Sequence, residues 1–140
     1  MFGLFGNNDG VFLSRGDFKN AEVDNYISYE DGEFVCFLIK SPDEEHCFTN
    51  KGYYRLKGTD LDRYEFNRHK LEDVEFELAG RFDGDVEVKF IIGGDKINVD
   101  INKAQSEQAK DLYKILYKLS SVQNFEEDDY SDVFEQFLDN

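Results

Sequence analysis

A chain of 140 residues with a net charge of −15 is long enough to bury one core, and too acidic to hold nucleic acid or anionic membrane by general electrostatics. Aromatic residues make up 16% of it, mostly Phe and Tyr, which suits strands, and the single proline, Pro42, leaves no Pro-rich linker. No run approaches the ~18 apolar residues of a membrane span, and the apolar start Met1-Phe-Gly-Leu-Phe-Gly6 is too short for a secretory leader, so a cytoplasmic location is expected.

Residues 1–10 end in Asn7-Asn-Asp-Gly10 and read as a terminus that either frays or docks through Phe2, Leu4 and Phe5. Residues 11–30 are weakly patterned. Val11, Phe12 and Leu13 suit a short helix or strand, and Tyr26, Ile27 and Tyr29 lead into the turn signal Glu30-Asp-Gly32. Residues 1–29 are therefore set apart as an N-terminal extension. Glu33 to Lys40 is a strongly apolar strand, followed by the acidic loop Ser41-Pro-Asp-Glu-Glu45. Cys36, inside that run, reads as a reduced core thiol, and Cys47 alone beside it makes no disulfide framework. Short strands are expected at His46–Asn50, Tyr53–Lys57 and Arg63–Arg68, with turns at Asn50-Lys-Gly52 and Gly58-Thr-Asp60.

The clearest pattern lies between Leu71 and Ile101. Val74, Phe76 and Leu78 alternate with Asp73, Glu75 and Glu77; Val86, Val88 and Phe90 alternate with Glu87 and Lys89; Ile97, Val99 and Ile101 alternate with Asn98 and Asp100. Period-two alternation marks strands with one buried and one wet face, and three in succession make an antiparallel meander. About seven strands result in all, a number that suggests a sandwich or partly closed barrel.

After Asn102 the period changes. Ala109, Leu112, Ile115, Leu116 and Leu119 recur at three and four, which predicts one long helix over 104–120 covering an open end of the barrel. Asn102 with Gln105 resembles a capping box. Residues 122–140 form a separate acidic segment, with Glu126, Glu127, Asp128, Asp129, Asp132, Glu135 and Asp139 and no Lys or Arg. Tyr130, Val133, Phe134, Phe137 and Leu138 nevertheless fall on one helical stripe. An acidic amphipathic helix follows, free to pack on its own barrel, a sister subunit or a separate partner.

Seven strands closed by one C-terminal helix resemble a pleckstrin-homology (PH)-like barrel, and particular residues extend the resemblance. Asp31-Gly-Glu33, Phe48-Thr-Asn-Lys51, Val74-Glu-Phe-Glu-Leu-Ala-Gly80 and Phe82-Asp-Gly-Asp85-Val-Glu-Val-Lys-Phe90 occur in that order. This is similar to the bacterial PH-like domain families, which carry a Gly-Glu before the first strand, a Phe-Thr-Asn-Lys turn and a Glu-x-Ala-Gly-x-Phe-Asp-x-Asp hairpin. It covers roughly residues 30–120, and the barrel with its capping helix is expected over residues 30–121. Gly52 departs from the family's basic residue after the Lys. The resemblance implies a mainly β, PH-like fold, frequent oligomeric assembly, no enzyme activity and no cofactor. Lipid-binding PH-like members use basic side chains in the loop joining the first two strands. Here that loop, Ser41 to Glu45, is acidic, which speaks against lipid headgroups at this site.

Other chemistry finds little support. His46 and Cys47 are strand neighbours that point to opposite faces, so they do not share a metal ion. Asp83-Gly-Asp85 with Glu87 lacks calcium-loop spacing. Neither His46 nor His69 has a nucleophile motif. Residues 51–70 are locally basic, with Lys51, Arg55, Lys57, Arg63, Arg68 and Lys70 against Asp60, Asp62 and Glu65. They read either as outward side chains on edge strands or as a patch that attracts the acidic tail. The sequence reading is a non-catalytic PH-like binding or scaffold module that self-associates into a homo-oligomer, with the tail as a possible protein-binding element. The alternative is a monomeric domain sensing a small ligand or lipid.

Overall fold

A computed structural model describes residues 9–78 and 85–138, with side chains as far as Glu135. The docking expected of Phe2, Leu4 and Phe5, the hairpin tip with Asp83, and the side chains of Phe137 and Leu138 lie outside the described residues.

Among the described residues, eight strands form two antiparallel sheets. The first contains β1 (Val11–Phe12), β2 (Val35–Lys40), β3 (Glu44–Thr49), β4 (Gly52–Lys57) and β5 (Asp60–Glu65) in that order. The second contains β6 (Leu71–Leu78), β7 (Asp85–Ile92) and β8 (Asp95–Asn102). The two remain open to each other, touching through a parallel bridge between Gly10 and Ile101. There Gly10 N–H donates to Asp100 O and Asn102 N–H donates to Gly10 O, each at 2.9 Å. A Cβ on Gly10 would come within 2.6 Å of that Asp100 oxygen, so the approach needs glycine. The eighth strand is the two-residue β1, added to the seven expected. The fourth expected strand starts three residues early, at Asp60, because Gly58 at φ 63° completes a tight turn. It stops at Glu65, whose carbonyl accepts from the Arg68 and His69 N–H groups.

The expected alternation is met in space on β7 and β8, but on β6, where the register shifts between Glu72 and Glu75, Val74 and Phe76 are only half-buried and Leu78 is exposed. Val86, Val88, Phe90 and Ile92 of β7 and Ile97, Val99 and Ile101 of β8 all turn into the space between the sheets. Leu71 of β6 joins them, and Phe48, Tyr53 and Phe66 fill it from the other side. The apolar run of β2 does not alternate because its sheet is buried on both faces. Its outer face, Leu38, Cys47, Tyr54 and Leu56, is covered by Ala21, Val23 and Ile27 from the segment before β2. Glu45 anchors that segment: its carboxylate is buried and accepts from Val23 N–H at 2.7 Å and Glu22 N–H at 3.2 Å. Residues 13–29 thus run as two 3₁₀ turns across the back of the first sheet.

Helix α1 (Ser106–Val122) buries Ala109, Leu112, Ile115, Leu116 and Leu119 over the barrel opening. The capping box forms by half. Asn102 Oδ1 accepts from Ala104 N–H, but a 3₁₀ turn intervenes and Gln105 faces β1 instead. Its amide grips Phe12 at both N–H (2.7 Å) and C=O (3.4 Å). The last helix, α2, spans Ser131–Leu138 and not the whole tail. It starts late because Tyr130 N–H donates to Asn50 O at 2.8 Å, tying the preceding residues to the barrel.

Candidate interaction surfaces

The motif residues of the first half converge on one buried hub. Gly32, held at φ 81°, offers its carbonyl to Asn50 Nδ2, while Asn50 Oδ1 accepts from Phe34 N–H at 2.8 Å. Glu33 Oε2 accepts from Thr49 Oγ1 and Tyr54 Oη, both at 2.7 Å. Thr49 Oγ1 in turn accepts from the Lys51 and Gly52 N–H groups. A Cβ at position 52 would stand 2.4 Å from Tyr64 O, so the glycine found where a basic residue was expected is a close-packing position. This group of side chains sets the β3–β4 turn.

The same hub holds the tail. Asn50 Nδ2 donates to Asp129 Oδ1 (3.1 Å) and Ser131 Oγ (3.2 Å). Tyr130, Val133 and Phe134 are buried on this chain's own barrel, with Phe134 against Phe37 and Phe66 at ring distances of 6.3 and 6.4 Å. Tyr130 Oη donates back to Asn124 O at 2.6 Å. Burial opposes the charge on Asp129, but hydrogen bonds from the Ser131 hydroxyl and N–H and from Asn50 outweigh it and hold the carboxyl below its usual range.

The six basic side chains between 51 and 70 are dispersed. Arg55 donates to Asp62 (2.8 and 3.2 Å), its cross-strand partner, and Lys57 stands 3.7 Å from Glu44. Arg63 leaves the opposite face of the sheet, over the Tyr54 ring and toward Glu30. Arg68 pairs with Glu65 at 3.0 Å, Lys70 stands 4.0 Å from Glu72, and Lys51 lies near Asp129. Pairs this exposed hold structure weakly, by ~0–1 kcal/mol each.

Around the β2–β3 loop, His46 is buried between two partners, with Nδ1 2.6 Å from Tyr53 Oη and Nε2 3.0 Å from Glu44 Oε1. Hydrogen bonding to His46 lowers the Glu44 pKa, and burial raises that of Tyr53. A cleft of about 260 Å³ opens beside them, lined by Gly10, Ser41, Asp43, Glu44, His46 and Asp100. Its walls are acidic, so an anionic headgroup meets like charge there. His69 Nδ1 accepts from Glu65 N–H at 3.0 Å. Burial pushes the Cys36 thiol up to about 12 and raises Cys47 as well, which keeps both as inert thiols. Among the described residues no three His, Cys, Asp or Glu side chains converge as metal ligands do.

A further surface was only partly visible in the sequence: the rim where β6 meets α1. β6 is the edge of its sheet. Phe76 lies against Tyr113, Tyr113 against Tyr117 (ring centroids 6.0 Å in both cases), and Leu78 is 73% exposed. On the outer face of the same sheet, Glu77 stands opposite Glu87, and Glu87 opposite Asp100. Burial and a hydrogen bond shared with Asp100 raise the Glu87 carboxyl above its usual range.

Two antiparallel sheets, a filled interior and a C-terminal helix across the opening define a PH-like domain. The family model for the bacterial PH domain matches residues 5–120, and the chain belongs to that family. It is 36% identical over 137 residues to the uncharacterized protein YvbH of Bacillus subtilis (strain 168), covering 93% of this chain and 67% of that protein. A PH-domain-containing bacterial protein from Exiguobacterium sibiricum 255-15, known from a crystal structure, is 43% identical, with a TM-score of 0.76 over 81% of this chain and 62% of that one. This chain therefore spans less than two thirds of that solved protein. A DUF1696-family protein with a pleckstrin-homology domain, from Shewanella loihica PV-4, shares the fold at 18% identity, with a TM-score of 0.55 over 81% of this chain and 98% of that one. No helix among the described residues is long and apolar enough to cross a membrane.

Proposed function

We propose that this chain is a non-catalytic binding and scaffold module that works in the cytoplasm and self-associates through the β6–α1 rim. The observation that carries the reading is the pairing, at one place, of an open strand edge with the most exposed large apolar side chain among the described residues, Leu78. Tyr117, 56% exposed, extends that apolar strip along α1. Open edges beside apolar surface invite association. The interior between the sheets is packed with aromatic rings, which favours this reading over a ligand-sensing barrel. The net charge of −15 sets nucleic acid and anionic membranes outside it.

Acids beside the rim repel a second copy, so association strengthens with salt. Light scattering coupled to size-exclusion chromatography of the full chain at low and high salt tests this. The expected result is a concentration-dependent oligomer favoured at high salt and lost in the double variant Leu78→Ser with Tyr117→Ser. A monomer at every concentration and salt overturns self-association.

A further inference from the structure

The two faces of the rim specify the chemistry of a partner, an argument that rests on the rim being an interaction surface. One side of β6 pairs with β7. On the other, Leu71 N–H is capped by Gln123 Oε1 at 2.9 Å, and among the described residues no backbone partner meets the strand beyond it. Side chains along this open stretch are sorted. Phe76 and Leu78 lie on the helix side, opposite Val88 and Val86, while Glu75 and Glu77 lie on the outer side, opposite Lys89 and Glu87.

The outer side has a surplus of negative charge. Lys89 is held by Glu77 at 3.1 Å, and beyond them Glu87 and Asp100 face each other. Like charges directly opposite on a sheet are unfavourable, and cations placed beside them relieve the repulsion. An edge protected only against aggregation carries charge and conceals its apolar side chains. This one bulges between Glu72 and Glu75, with Asp73 at φ 53°, and beyond the bulge it presents both, on opposite faces. A second copy meets this rim face to face through the apolar strip of Leu78 and Tyr117, not as an added strand. Antiparallel pairing of β6 with β6 sets Glu75 and Glu77 against the same acids.

We propose that the outer edge of β6 binds an extended segment of another protein by strand addition, and that this segment alternates basic with apolar residues. Backbone hydrogen bonds to the edge supply affinity, and side chains at a spacing of two supply specificity. Its Lys or Arg residues stand beside Glu75 and Glu77. Its apolar residues lie over Phe76, Leu78 and Tyr117.

The test titrates the full chain with a capped ten-residue peptide alternating Lys and Val. One control has the same composition sorted into a Lys block and a Val block, and another carries N-methyl groups on alternate residues. Alternation is expected to bind roughly tenfold more tightly than the block peptide, and N-methylation of the hydrogen-bonding edge to abolish binding. Glu75→Gln with Glu77→Gln is expected to weaken the alternating peptide about fivefold, and amide exchange to slow along β6. Equal affinity for the block peptide, or slowed exchange away from β6, overturns strand addition. Because the segment and a second copy compete for Leu78 and Tyr117, the titration is run at a dilution where molar mass shows a monomer: failure of the alternating peptide to bind there overturns the partner alone, and a chain that binds it but stays monomeric at every concentration and salt overturns self-association alone.

Discussion

Asp129 and Glu87 are both carboxylates at the margin of the barrel, and their surroundings push them in opposite directions. Asp129 is surrounded by donors: the Ser131 hydroxyl and N–H and the Asn50 amide. Glu87 is partly buried and faces Asp100 on one side and Glu77 on the other. The first carboxylate closes a contact within the chain, and those donors meet its charge. The second stands in a row of acids that Lys89 offsets only in part. In an acidic protein the number of acids therefore says little about the state of any one of them, which depends on the donors and charges beside it.

Four experiments break or sharpen that contrast. Phe134→Ala removes a fully buried ring that joins the tail to Phe37 and Phe66, and should cost about 3 kcal/mol in urea unfolding. An unchanged midpoint would mean that the tail is not part of the cooperative core. Asn50→Ala strips the hub of its amide and should cost roughly 2 kcal/mol, with faster exchange at the Tyr130 N–H that its carbonyl holds. Exchange unaltered at Tyr130 would separate the hub from the tail.

Acid separates the two regions by sign. The folded pKa of Asp129 is depressed, so its contribution is present above the unfolded value and fades as pH falls below about 4. The folded pKa of Glu87 is raised, so its charged form opposes folding at neutral pH, and that penalty lifts as pH falls through the raised value. Side-chain carbon shifts of the two carboxyls followed from pH 7 downward should show Glu87 protonating first; the reverse order would remove the contrast. The smallest effect is expected from Glu87→Gln, a gain of about 0.5 kcal/mol by denaturant titration. A loss instead would show that the row is already compensated.

What could be read from the residues in advance was local. Val86 to Ile92 alternate and are buried alternately; Ala109 to Leu119 repeat at three and four and line one helix face. Such periods arise from backbone geometry within a single element, so the chain states them directly. The tail's stripe was legible in the same way for Tyr130, Val133 and Phe134. The hub was not. Gln105 reaches Phe12, Gln123 reaches Phe66, and Asn50 reaches Asp129, each between residues far apart along the chain. An amide side chain gives no periodic signal, and its partners exist only once the sheets have come together.

The basic excess between 51 and 70 shows the same limit. Counted along the chain it is one patch, yet adjacent strand residues point to opposite faces and the cations are divided among several acids, with Glu65 shared between Arg63 and Arg68. Sequence alone determined the strands of the meander, the covering helix, the acidity and the family, because these depend on residue type and spacing. Tertiary structure decided three things: that residues 13–29 cover the back of the first sheet, that the tail seats on its own barrel, and that β6 keeps an open edge with acids on one side and Leu78 on the other. Each depends on which surfaces meet across long stretches of chain, and pairing and burial between distant segments leave no periodic mark in the residues that make them.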